Sequence, residues 1–208
     1  MQQQQQRTGD KEPRLYTDFA IYKGKTACKL SVVKPTFEPL ANGSRQKTKN
    51  GGVVFEFAPS VGPRSYDWGQ KQAIMLSPLE FIDLTESLHV GRGVAFFHDP
   101  GMGTSRQGVT NKTLKAEPMP DGSGGIFLNF FLVSAGAGGA PGGGSHGKIS
   151  MNIAVSFAEF AMLRALAQYL SPRLMGFAEA GCARFRVQGL EFRVQSSGFR
   201  VQSSVCTI

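Results

Sequence analysis

One pattern, written twice, constrains this chain more than any other feature. Ser77-Pro-Leu-Glu80-Phe81-Ile-Asp-Leu84 and Ser156-Phe-Ala-Glu159-Phe160-Ala-Met-Leu163 share S-x-x-E-F-x-x-L, and each follows a strand-like apolar run. A serine three residues before a glutamate is a capping box: the hydroxyl accepts one unpaired N–H of the first turn, and the carboxylate accepts another. Behind the second box, Phe157, Phe160, Ala161, Leu163, Ala167 and Leu170 recur at helical spacing over a broad apolar surface. Pro172 is expected to stop this helix, because the residue before a proline is pushed out of helical geometry. A chain that spells strands and then a capped helix, twice, is expected to be one α+β domain over residues 15–177. Its related halves are 15–90 and 91–177. Chance is the alternative, since capping boxes are common; the shared Phe and Leu and the shared preceding strand favour the repeat.

The totals narrow the partners. With 208 residues, 41% hydrophobic, and 16 phenylalanines, the chain can build one core with loose ends. No run of about 18 apolar residues occurs, so no membrane-spanning helix is expected. The formal charge is +8. From Ala178 onward, Arg184, Arg186, Arg193 and Arg200 stand against Glu179 and Glu191, which leaves +6 on the rest. That excess favours an anionic partner, nucleic acid first, with plain solubility as the alternative. Cys28, Cys182 and Cys206 lack metal-site spacing, so reduced thiols are expected, with no metal and no cofactor.

Residues 1–14, glutamines followed by charges, read as a disordered segment. They lack the apolar stretch of a secretory signal and are too short and too acidic for an organelle transit peptide. Residues 135–147 read as a flexible glycine-rich loop. Residues 178–208 repeat FRVQ at Phe185, Phe192 and Phe199 without the second apolar seam of a coiled coil, and read as a low-complexity tail.

The candidate site gathers on two strand-like stretches. In KGKTACKLSVV, counting by two puts Lys23, Lys25, Ala27, Lys29 and Ser31 on one side, with Cys28, Leu30 and Val32 on the other, facing the core. Gly24 is a candidate bulge or close backbone approach. One exposed lysine is ordinarily a solvated face; three in seven residues beside Tyr16, Phe19 and Tyr22 point to a surface that tracks phosphates. In YDWGQKQ, Tyr66, Trp68, Gln70 and Gln72 are expected on one strand face with Lys71 opposite. Core packing is the default for a tryptophan, but these polar neighbours suggest a partly exposed ring. Neither Gly101-x-Gly103 nor Gly103-x-x-x-x-Gly108 is G-x-G-x-x-G, and Gly108 is followed by Val-Thr rather than the Lys-Ser/Thr of a phosphate loop, which removes nucleotide hydrolysis.

KGKTACKL resembles the KGKAAL signature of the plant Whirly proteins. YDW at 66–68, MLSP at 75–78, FFHDP at 96–100, DGSG at 121–124 and LMGF at 174–177 follow in that family's order, so the resemblance covers 19–177. Thr26 and Cys28 stand where the signature has Ala and Leu, the glycine-rich loop looks longer, and the FRVQ tail differs from the family's C-terminus. The resemblance implies two antiparallel four-stranded β-sheets with two helices, the helices forming the core of a tetramer. It implies binding of single-stranded DNA, with RNA as a ligand of some members. It also implies roles in organelle genome maintenance, DNA repair and transcription regulation, in plastid or mitochondrion, with the nucleus a further compartment. Through it, Lys23, Lys25, Tyr66, Trp68, Phe97 and His98 become nucleic-acid-binding candidates; Tyr22, Lys29 and Lys71 join them on position alone.

Lysines that neutralise phosphates and rings that stack on splayed bases are the two parts such binding needs, so weak sequence preference is expected. His98 has two readings, a hydrogen bond to a base or a pin for its own loop, and the second is the stronger. Met162, Leu166, Leu170 and Leu174 exceed what one sheet requires and are assigned to an interface between copies, against ordinary intrachain core. An enzyme is the weakest reading: His89, His98 and His146 are scattered, and adjacent His98 and Asp99 point apart in a strand. An RNA-binding protein of the same fold remains open, because only the 2′-hydroxyl separates the two ligands.

Overall fold

The computed structural model describes residues 18–134 and 147–177, and a two-residue ladder between Arg186–Val187 and Leu190–Glu191. The expected disordered segment 1–14, nearly all of the glycine-rich loop, and the rest of the FRVQ tail lie outside the described residues. Gly147, read as the end of that loop, instead opens a strand.

The first half runs β1 (Phe19–Tyr22), β2 (Thr26–Val33), a ribbon of β3 (Thr36–Pro39) and β4 (Arg45–Lys49), β5 (Gly52–Gly62), β6 (Ser65–Tyr66), a 3-10 turn (Trp68–Gln70), β7 (Gln72–Leu76) and helix α1 (Pro78–His89). The second runs β8 (Val94–His98), β9 (Thr110–Pro118), β10 (Ile126–Ser134), β11 (Gly147–Val155) and helix α2 (Phe157–Leu174). Sheet one has the order β1-β2-β5-β7, with β6 as a short addition on β5; sheet two has the order β8-β9-β10-β11. All pairings within them are antiparallel. Both sheets follow chain order, so each half is a four-stranded meander closed by a capped helix. The two halves thus share one order of four strands and a helix, with the β3–β4 ribbon lying between β2 and β5 of the first.

Alternation builds the core. Val53, Phe55 and Phe57 of β5 are fully buried, as are Leu128 and Phe130 of β10. Phe57 stacks on Phe130 with centroids 5.4 Å apart, joining the inner faces of the two sheets. Phe55 meets Phe81 of α1 edge-on at 5.9 Å. Both capping boxes close: the Glu80 carboxylate accepts the Ser77 N–H at 2.8 Å, and that of Glu159 accepts the Ser156 N–H at 2.7 Å. Arg164 of α2 holds Glu86 of α1 through two bonds of 3.0 and 3.2 Å, and the Ser171 hydroxyl donates to the Pro78 carbonyl.

Several expectations need correction. α2 does not stop before Pro172 but runs through it to Leu174, ending at Gly176, which takes a φ of 91°. A proline in the last turn forfeits one hydrogen bond, while continuing the turn buries Leu174 in the chain's own core. Leu174 is thus unavailable to an interface between copies. Leu166 and Leu170 are half-buried against the same core, and Met162 alone of the four is exposed. Cys28 and Leu30 face inward, but Val32 is exposed, as is Ile149 at the outer end of β11, because both strands outrun the core. Burial, with the Glu56 carboxylate adding to it, pushes the Cys28 thiol far up, so it stays protonated and inert.

Candidate nucleic-acid interface

The hairpin between β1 and β2 decides where the signature lysines go. Tyr22 pairs with Ala27, and the Lys23 N–H donates to the Thr26 carbonyl, so Lys23, Gly24 and Lys25 form the turn rather than a strand face. Gly24 makes no close approach; a side chain there would meet open space. The turn separates the two lysines. Lys25 is exposed, whereas the Lys23 ammonium reaches across to the Glu159 carboxylate at 2.8 and 3.0 Å. Lys23 therefore ties the first hairpin to the cap of α2 and is not a free phosphate ligand.

Tyr66 and Trp68 do not share a strand face either. Tyr66 ends β6; Asp67 then accepts the N–H groups of Gly69 and Gln70 and turns the chain into the 3-10 segment that carries Trp68. Both rings are half-buried. The Tyr66 hydroxyl donates to the Lys23 carbonyl at 2.7 Å, and its ring lies 5.5 Å from that of Tyr22, which is 58% exposed. Tyr22 is thus a propped, open platform. Lys29 lies 5.7 Å from the Trp68 ring centre and pairs with Asp18 and Glu56; Lys71 also pairs with Glu56. Two ammonium groups share one nearly buried carboxylate, which masks part of their field. Replacing Glu56 by glutamine is expected to tighten binding of a nucleic-acid strand roughly fivefold, the equivalent of about 1 kcal/mol for one charge at ~4 Å in a watery medium. Anisotropy titration at low salt checks this.

Phe97 and His98 stand on the other sheet, at the end of β8, and the shared order of the two halves explains them. β1 with its next residue, Phe19 to Lys23, corresponds to Val94 to His98 of the second half. Ile21 and Phe96 are buried, Tyr22 and Phe97 are 58% and 60% exposed, and Lys23 and His98 come next. Just as Lys23 bonds Glu159, the His98 ring bonds Glu80 at 2.8 Å. Each exposed ring is therefore followed by a side chain bound to the capping-box glutamate of the opposite half's helix. The His98 ring thus reaches the cap of α1 rather than its own loop, and Asp99 turns elsewhere, accepting the N–H groups of Gly101 and Gly108.

Burial alone would raise the Glu80 and Glu159 carboxyls. Hydrogen bonds from His98 and Ser77 to the first, and from Lys23 and Ser156 to the second, outweigh it and hold both below the usual range. A depressed carboxyl contributes stability that is present above its unfolded value of 4.5 and is lost as pH falls through the folded value. The melting temperature is expected to be flat above about pH 5 and to drop below 4.5. A Glu80→Gln/Glu159→Gln variant keeps the box, since glutamine also serves at N3, but weakens the bonds to His98 and Lys23; it should melt slightly lower at neutral pH, with a shallower acid limb. Thermal melts from pH 3 to 7 read both.

The register also brings out residues that sequence reading passed over. The outer face of sheet two aligns Phe97, Thr113, Phe131 and Ser150 in one row, and Lys115, Asn129 and Asn152 in the next. Phe127 on that face is 39% exposed. The alternation in IFLNFFLVS was the available signal for Phe127 and Phe131. Beside Phe97, an open cavity of about 590 Å³ is lined by Met75, Met102, His98, Asn50 and Lys112 among others, between the β7 and β8 edges.

These faces, two sheets offering exposed rings beside lysines, sit in a recognisable frame. The family described as Whirly transcription factor matches residues 21–166. The chain belongs to the Whirly family. It is 37% identical over 176 residues to the chloroplastic single-stranded DNA-binding protein WHY1 of Solanum tuberosum, covering 83% of this chain and 59% of that protein. It is 31% identical to the mitochondrial WHY2 of Arabidopsis thaliana, covering 79% and 65%. The chain spans about three fifths of the length of the curated relatives it matches. The crystal structure of Whirly relative WHY3 from Arabidopsis thaliana superposes with a TM-score of 0.72 at 36% identity, covering 82% of this chain and 97% of that one. The structure of the plant transcriptional regulator PBF-2 gives 0.70 at 36% identity, covering 81% and 87%. The Whirly fold expected from the sequence, two antiparallel sheets and two helices, is the fold observed.

Proposed function

We propose that this Whirly protein binds single-stranded DNA with little sequence preference, without catalysis, in organelle genome maintenance, DNA repair and transcription. The observation that carries it is the pair of exposed rings, Tyr22 and Phe97, each at an equivalent strand end beside a polar or cationic surface. Bases stack on Tyr22, on Phe97 and on the partly open faces of Tyr66 and Trp68, while Lys25, Lys29 and Lys71 follow the phosphates. Lys23 and His98 act through position, by fixing the two strand ends to the helices. Relatives named chloroplastic and mitochondrial support a plastid or mitochondrial site of action. RNA is the competing ligand, since a single strand of either kind offers the same bases and phosphates.

A catalytic role finds no support in the geometry around His98. Glu80 lies between His98 and Ser77, so the imidazole has no bonded nucleophile. Among the described residues no cluster of metal-ligating side chains occurs.

The solvent side of α2 carries Phe157, Met162 and Tyr169, exposed at 64%, 49% and 57%. That strip supports assembly of copies through the helices into a tetramer, which would offer several strand ends to one long ligand. Gel shifts with single-stranded DNA, duplex and RNA oligomers, run beside light scattering, test both statements. Preferential retardation of single-stranded DNA by a particle of about four times 22.4 kDa is expected. Equal competition by duplex would sink the stacking assignment, and a 22.4 kDa particle would sink the assembly.

A further inference from the structure

The β3–β4 ribbon is a large feature that the binding reading leaves unused. Every residue of β4 is exposed, and residues 34–51 carry Lys34, Arg45, Lys47 and Lys49 against a single acid, Glu38. A two-stranded ribbon projecting from a sheet normally needs a reason to persist, because an isolated hairpin is marginal in water. Its anchor is at the base. The Gly51 N–H donates to the Leu174 carbonyl, and a side chain at Gly51 would collide with the Val33 carbonyl and Leu174. The ribbon is thereby locked onto the end of α2.

The four cations are not equivalent. The Lys47 ammonium donates to the Met175 carbonyl at 2.8 Å, where it caps the C-terminus of α2. That is a structural task. Arg45 lies over the Phe37 ring at 5.4 Å, and among the described residues the side chains of Arg45, Lys34 and Lys49 have no hydrogen-bond or ion-pair partner. Elsewhere on the domain, Lys23, Lys29, Lys71, Lys115 and Arg164 each hold a carboxylate. Lys25, Arg64, Arg92, Arg106 and Lys148 also lack a carboxylate among the described residues, but they are scattered; the ribbon gathers three such cations within one short segment against a single acid.

Its position gives the charge a direction. Asn50 and Gly51, at the foot of β4, line the same cavity as Phe97 and Met75. Lys49 immediately precedes Asn50, so a strand leaving a ring stacked on Phe97 by way of that cavity would reach the end of β4 that carries Lys49. We propose that Lys34, Arg45 and Lys49 form a phosphate-binding extension of the Phe97 site, engaged by long single strands and out of reach of short ones. The inference rests on the single-strand reading above. The other use for such charges is protection of an exposed strand edge from pairing with another chain.

The test compares two oligo-dT lengths, one on the order of 8 nucleotides, enough for one site, and one about three times as long. Each contacted phosphate contributes about −0.7 to the slope of log K against log salt for single strands. Lys34→Gln/Arg45→Gln/Lys49→Gln is expected to flatten the long-oligomer slope by about 2, with the short-oligomer affinity within twofold of the parent. The charge-preserving Lys34→Arg/Arg45→Lys/Lys49→Arg variant should keep the parent slope. Lysine acetylation of the unaltered protein gives a second readout, independent of folding of the variants: the long oligomer should protect Lys34 and Lys49, and the short one should not. An unchanged long-oligomer slope, equal losses for both lengths, or acetylation of Lys34 and Lys49 undiminished by the long oligomer overturns the extension while leaving the single-strand reading intact. If neither length binds the parent protein, both readings fall.

Discussion

Removing both exposed rings, Tyr22→Ala with Phe97→Ala, is expected to weaken single-stranded DNA binding by about 2 to 6 kcal/mol. The figure is twice the ~1–3 kcal/mol of one base–aromatic stack. The two rings lie on different sheets, so their contributions should add. At 1.4 kcal/mol per decade this is a loss of roughly 30-fold to 10⁴-fold in affinity. No charge changes, so the salt slope should stay where it was. Fluorescence anisotropy over a salt series reads both quantities at once. Tyr22→Phe with Phe97→Trp should restore binding, since stacking needs a flat ring and not a particular one. A loss below twofold in the double variant would mean that bases do not lie on these strand ends.

The second large effect belongs to the joint between the halves. Phe57 is fully buried and stacks on Phe130 across the two sheets. Phe57→Ala is expected to cost about 3–5 kcal/mol, the transfer of the ring plus the cavity left behind. For a domain of this size that is a fall of roughly 6 to 20 °C in melting temperature. Phe57→Leu, which keeps most of the volume, should lose well under half as much. Thermal denaturation followed by circular dichroism measures it. A shift of only a degree or two for Phe57→Ala would show that the sheets are held together elsewhere.

The pins at Glu80 and Glu159 connect these two effects. Each exposed ring is one residue from a side chain bonded to a helix cap of the other half. The strand ends that carry the rings therefore share their anchoring with the helices, and damage to a cap should reach the ring beside it. This gives Lys23 a positioning role that the charge pattern of the sequence concealed, and ties His98 to the cap of α1 rather than to its own loop.

Much of this molecule was legible before any coordinates. The capping boxes, the alternation of β5 and β10, and the repeated order of strands and helix depend on near neighbours in the chain, and period and cap chemistry are local properties. The resemblance supplied the fold, and the family match agrees with it. What tertiary structure alone decided is the fate of each charge. Lys23 and Lys25 look alike in KGK, yet one finds Glu159, 136 residues away, and the other stays exposed with no ion-pair partner among the described residues. Glu56 draws in both Lys29 and Lys71 from neighbouring segments. Trp68 left its expected strand because Asp67 could satisfy two backbone N–H groups in a turn. Leu174, apolar on a helix that the pattern gave to a partner, was claimed by the chain's own core. Sequence spacing states which face a side chain leaves from; the partner it meets depends on long-range packing, and for a charged group that partner determines whether the charge is spent internally or left for a ligand.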